Sequence, residues 1–116
     1  MEYPYDFFLE LLYPLPLRHK KMFGVDAFYI RDKIVFALRK KDAAPEDNGI
    51  WLASKKDHHQ KLYHQIYGLR AIKTYGIKTW LLLPEDFELF EEEARKVTEM
   101  IKKNSELIGN VPKAKR

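Results

Sequence analysis

Chemistry that depends on a titratable or metal-binding side chain would first be sought at the four histidines. His58, His59 and His64 lie close together, but a metal-binding helix pairs its histidines four residues apart so that both meet one ion. On a helix His58 and His59 diverge by about 100°, and His59 and His64 are five positions apart. The spacing predicts exposed helix histidines and no metal. His19 stands in Arg18-His19-Lys20-Lys21, with no neighbouring acid in sequence to orient it as a general base. Glu91, Glu92 and Glu93 are consecutive and point in different directions on a helix, unlike a paired acid and base. Ser54 and Ser105 are the only serines, neither lies in a Gly-x-Ser-x-Gly turn, and the chain has no cysteine. These residues predict no catalytic site, no cofactor and no enzyme activity.

A basic and aromatic combination carries more. Arg18, Lys20, Lys21, Arg39, Lys40, Lys41, Lys55, Lys56, Arg70, Lys73 and Lys78 stand among Tyr29, Trp51, Tyr75 and Trp80. Cations can neutralise phosphates and exposed rings can stack bases. The competing account puts the aromatics in the core and leaves the lysines as a solvated surface. The formal charge is +4, yet from Leu15 to Pro84 fourteen Lys/Arg face six Asp/Glu, whereas Glu85–Ile101 holds seven acids and two bases. Such polarity can steer an acidic partner to one side of the molecule.

The elements that must position these residues follow from periodicity. Tyr3–Tyr13 sets Phe7, Phe8, Leu11 and Leu12 at helical spacing, with Pro14 and Pro16 closing a short helix near Leu12. Lys21–Gly24 and Asp26–Arg31 read as extended chain, Arg31-Asp32-Lys33 as a turn, and Lys33–Arg39 as a strand with Ile34, Phe36 and Leu38 on one face and Val35, Ala37 and Arg39 on the other. Lys40–Asn48 is a charged loop that ends in Asn48-Gly49. Ile50–Ala53 is a short strand. Ser54 or Asp57 is placed to cap a helix over about Lys56–Ile66, which Gly68 stops. Leu69–Thr74 and Ile77–Leu83 form two strands about a Tyr75-Gly76 turn. From Glu85, Phe87, Phe90, Ala94, Val97 and Ile101 mark one helix stripe, acidic at its start and basic at Lys102 and Lys103, ended by Gly109 and Pro112.

The pattern predicts α-β-β-β-α-β-β-α, an α+β two-layer sandwich on a mainly antiparallel sheet of about five strands. At 116 residues the chain suits a single domain, with 110–116 a disordered basic tail. It has no basic leader, no apolar run near the roughly 20 residues that cross a bilayer, and no cysteine, which predicts a cytoplasmic protein with no membrane partner.

Met22-Phe23-Gly24, the aromatic hairpin Ala27–Leu38, the strand Gly49-Ile50-Trp51-Leu52 and a last strand running through Pro84 into an acidic helix occur in this order. In these motifs, over about Lys20 to Ile101, the chain resembles the TfoX N-terminal domain family and the related MmcQ/YjbR-like small bacterial domains. The resemblance implies the same α+β order, with Met22-Phe23-Gly24 as a structural motif, and transfers no catalytic residues. Two functions follow as expectations. One is a non-enzymatic interaction or regulatory domain that binds a protein partner or a second copy of itself through a half-exposed sheet face or an edge strand. The other is an accessory nucleic-acid-binding domain that uses the basic middle of the chain.

Overall fold

The computed structural model describes residues 3–74 and 78–111. Among them, six strands form one antiparallel sheet and three α-helices accompany it, an α+β architecture. The helices are α1 (Asp6–Leu12), α2 (His59–Gln65) and α3 (Phe90–Lys102). The strands are β1 (Arg18–Met22), β2 (Val25–Ile30), β3 (Lys33–Arg39), β4 (Gly49–Ala53), β5 (Arg70–Ala71) and β6 (Trp80–Pro84), in the spatial order β1-β2-β3-β4-β6-β5.

The sixth strand arises at Phe23-Gly24, which is a tight turn rather than a strand start. Met22 pairs with Val25, and Phe23 and Gly24 both have positive φ, at 54° and 76°, the backbone a type I′ hairpin requires. Gly24 takes it without penalty. The next connection is also two residues long, since Ile30 pairs with Lys33.

A β-bulge corrects the expected faces of β3. Phe28 pairs with Phe36 and Tyr29 with Ile34, which leaves Val35 as the extra residue. Beyond it the alternation changes phase. Val35, Phe36 and Leu38 join the helix-side core, while Ile34 joins Ala37 on the other face.

The helix-side core unites Phe8 and Leu12 of α1, Leu62 of α2, and Phe90, Ala94, Val97 and Ile101 of α3 with Phe28, Phe36, Leu38, Ile50, Leu52, Leu81 and Leu83 of the sheet. Phe8 meets Phe36 edge-on with centroids 4.9 Å apart, an arrangement aromatic quadrupoles favour. The opposite face is not half-exposed as expected. Val25, Ala27, Ala37, Trp51, Ala53, Ile72, Trp80 and Leu82 form a second buried cluster. There the Trp51 indole donates to the carbonyl of Asp47, in a 3-10 turn at Pro45–Asp47.

Other boundaries also move. A 3-10 turn, Lys56–His58, precedes α2, and no side chain caps either element. The Ser54 hydroxyl instead donates to the carbonyl of Leu107. Helix α3 begins at Phe90, so Glu85, Asp86 and Glu88 precede it, and it ends at Lys102 rather than Gly109, because Asn104 turns left-handed at φ 58°. The chain then returns to the sheet. Asn110 exchanges backbone hydrogen bonds with Ile34, so the expected tail is ordered at its first residue. The Leu69–Thr74 strand shrinks to β5, and the turn at Tyr75-Gly76, like Pro112 and the rest of the expected tail, lies outside the described residues.

Candidate functional site

The predicted basic residues do not share one surface. Arg18, Lys20 and Lys21 line β1, one edge of the sheet, while Arg70 lies on β5, the other edge, with Lys73 just beyond it. Five strand spacings separate the two edges, on the order of 24 Å. Lys55 and Lys56 follow β4, and Lys40 follows β3. Three of the set are tied to acids, Lys21 to Asp26, Lys40 to Glu85 and Arg70 to Asp47.

Trp51 and Trp80 are buried, 0% and 5% exposed, and neither offers a ring face for stacking a base. Arg39, also predicted for that surface, is 2% exposed. Trp51 and Trp80 are buried in the second core cluster, and Arg39 is buried against the loop carbonyls and the Asn48 side chain that it binds.

What Arg39 does explains the charged loop. Its guanidinium donates to the carbonyls of Ala43 and Ala44 at 2.8 Å each and to the side-chain oxygen of Asn48 at 2.8 Å. Asn48 in turn pairs both ways with the Lys41 backbone. Asp47, fully buried, accepts the N–H groups of Lys73 and Thr74 at 3.0 and 2.7 Å and faces Arg70. Burial alone would raise its carboxyl, but these hydrogen bonds and the Arg70 charge outweigh it and hold Asp47 below its ordinary value. Arg70 also donates to the carbonyls of Glu46 and Ala71, so its charge is spent closing the β5 edge.

Beside this loop, Tyr5 and Glu85 form a second network. Lys40 reaches both Glu85 carboxylate oxygens at 2.7 and 2.8 Å, and the Tyr5 hydroxyl donates to the first of them at 2.7 Å. Burial opposes ionisation of Glu85, but the bonds from Lys40 and Tyr5 prevail and lower its carboxyl. Burial first, then the Glu85 carboxylate, push the Tyr5 phenol well above its ordinary value. Both groups are thereby fixed in one protonation state, which suits a brace between α1 and the sheet better than proton transfer.

The β1 edge is different. Its cations are exposed. Arg18 lies 4.6 Å over the Tyr29 ring, and among the described residues Lys20 has no ion-pair partner. Lys21 reaches Asp26 at 3.1 Å. His19, contrary to expectation, does have an orienting acid: its Nε2 lies 2.8 Å from Asp26 Oδ1, in a wall made by Tyr3 and Phe28. The two-residue turn at Phe23-Gly24 sets His19 diagonal to Asp26 on one face of the hairpin, and without that turn the sequence separates the two residues.

The other histidines stay apart. His59 lies 3.2 Å from the carbonyl of Ser54, and His58 lines a shallow cleft with Lys33, Lys55 and Asn104. Among the described residues no three His, Asp or Glu side chains converge as metal ligands, and no helix is long and apolar enough to cross a membrane.

No family model, no curated protein and no solved structure matches the chain.

Proposed function

We propose that this protein is a small, non-enzymatic interaction domain of the TfoX N-terminal type, acting in the cytoplasm, whose protein partner engages the β1 edge. The observation that carries this reading is the contrast between the two sheet edges. At β5 the arginine is consumed by Asp47 and by backbone carbonyls; at β1 a five-residue strand presents three cations, of which Lys21 pairs with Asp26 while Arg18 and Lys20 have no acid partner among the described residues. Charge left free at a strand edge is available to an acidic partner. The order of strands and helices supports the kinship, and the buried tryptophans count against a base-stacking surface.

A second copy fits this edge poorly. Antiparallel pairing of β1 with itself would set Lys20 against Lys20 when centred on Lys20, or Arg18 against Lys20 when centred on His19, and like charges directly opposite destabilise cross-strand pairs. An accessory nucleic-acid-binding role is the second reading, favoured by the same free cations.

Peptide display decides between partners. Wild-type protein is expected to enrich acid-rich sequences, and the R18E/K20E double variant to lose that enrichment. Equal enrichment by the two proteins would contradict the reading. Tight, salt-sensitive capture of duplex DNA with no peptide enrichment would replace it by the second.

A further inference from the structure

The hairpin register says more about the partner, resting on the proposed interaction role. Because Met22 and Val25 flank a two-residue turn, they form a hydrogen-bonded pair, and the pairs then alternate along the strands. Lys20 and Arg18 therefore direct their backbone groups inward to Ala27 and Tyr29. His19 and Lys21 direct theirs outward. Among the described residues, no hydrogen bond reaches the N–H or C=O of either residue from outside the hairpin. Two donors and two acceptors stand along one line, in a strand that every neighbour in this sheet would meet antiparallel.

The side chains select what can add there. On the face away from the helices β1 carries Arg18, Lys20 and Met22, opposite Tyr29, Ala27 and Val25. On the helix face it carries His19 and Lys21, where Asp26 already supplies a carboxylate to both. On the outer face Arg18, which donates to the Arg31 carbonyl and lies over Tyr29, and Lys20, two residues on, have no carboxylate partner among the described residues. A strand laid beside β1 places its alternate side chains against those positions.

We infer that β1 binds its partner by strand addition, taking an extended, antiparallel protein segment with acidic residues at alternate positions opposite Arg18 and Lys20. The same cations deter pairing with another copy of the chain, so one set of residues excludes the wrong strand and selects the right one. Affinity comes from main-chain hydrogen bonds and specificity from the alternating carboxylates.

The test uses a capped peptide of about seven residues, long enough to cover β1, in which glutamate alternates with valine or threonine. Two derivatives carry N-methyl groups on alternate amides, one on each parity, which leaves the charge unchanged. Titrations are followed by backbone amide shifts and hydrogen exchange of the full chain. The parent peptide is expected to protect the amides of His19 and Lys21. One derivative should bind like the parent and the other at least about tenfold more weakly, because only one parity turns its amides toward β1. If both derivatives bind like the parent, strand addition is wrong while an acidic partner stands. If neither the parent nor any derivative binds, the acidic-partner reading fails with it. Binding that duplex DNA displaces, without protection of His19 and Lys21, assigns the edge to nucleic acid and overturns the inference.

Discussion

Arg39 shows how one side chain converts a charged loop into part of the fold. Its guanidinium gathers two carbonyls and the Asn48 amide oxygen in a buried site; truncation strips the donor from the Ala43 carbonyl and leaves the Ala44 carbonyl and Asn48 only the N–H groups of Asp47 and Lys41. Arg39→Met is expected to cost about 1–3 kcal/mol in urea unfolding, the cost of leaving a buried polar group unsatisfied. Asp47 acts from the same loop on the segment after β5. Its carboxylate is held below the ordinary value of 3.8, so the fold gains stability from it at neutral pH, where it is ionised folded or unfolded. As pH falls below the ordinary carboxylate range the unfolded chain takes up the proton first, and that stability is lost as pH drops through the depressed value. Asp47→Asn should therefore cost about 1.5–3 kcal/mol near neutrality and flatten the decline of stability below about pH 4. Unfolding curves of both proteins across that range check the sign; an unchanged acid limb would remove Asp47 from the account. Gly49 has φ 148°, and a Cβ there would stand 2.2 Å from the Leu83 carbonyl oxygen. Gly49→Ala is expected to destabilise by about 1–3 kcal/mol, the cost of a strained backbone, read as a lower melting temperature.

Among the elements, those with a strong period were legible and those set by turns were not. The α3 stripe Phe90, Ala94, Val97 and Ile101 is buried as its three- and four-residue spacing requires. Helix α1 closes at Leu12, ahead of its prolines. Phe23-Gly24 misled, because Phe is a poor type I′ residue and the alternation around it reads as continuous strand. The Val35 bulge was invisible, since both phases of Lys33–Arg39 are apolar and the sequence cannot say where one extra residue enters. The same ambiguity hid the second core cluster, because Trp51 and Trp80 look equally suited to an exposed face. The β1 edge was legible in part. Its cations stood out, but which of them remain unpaired depended on Asp26, placed by the hairpin. Since Arg18 and Lys20 are exposed, R18E/K20E should change folding stability by no more than about 0.5 kcal/mol per site while abolishing acidic-peptide binding. A large drop in melting temperature would mean that this edge serves the fold.

For the whole molecule, the excess charge of +4 matters less than where the topology puts it. The sheet order sends basic residues to both edges; Asp47 pairs with Arg70 at β5 and Asp26 with Lys21 at β1, while Arg18 and Lys20 have no acid partner among the described residues. The acids of Glu85–Ile101 follow β6 in the chain and continue through α3. On the proposed reading an acidic ligand is drawn to the β1 side. That attraction should weaken as salt shortens the screening length from about 30 Å at 0.01 M to about 8 Å at 0.15 M. The most direct measurement is the map of amide shifts when polyglutamate is titrated into the labelled protein at low salt. Shifts are expected to be confined to Leu17–Tyr29 and to fade with salt. Shifts spread equally over Lys55, Lys56, Arg70 and Lys73 would contradict the β1-edge reading.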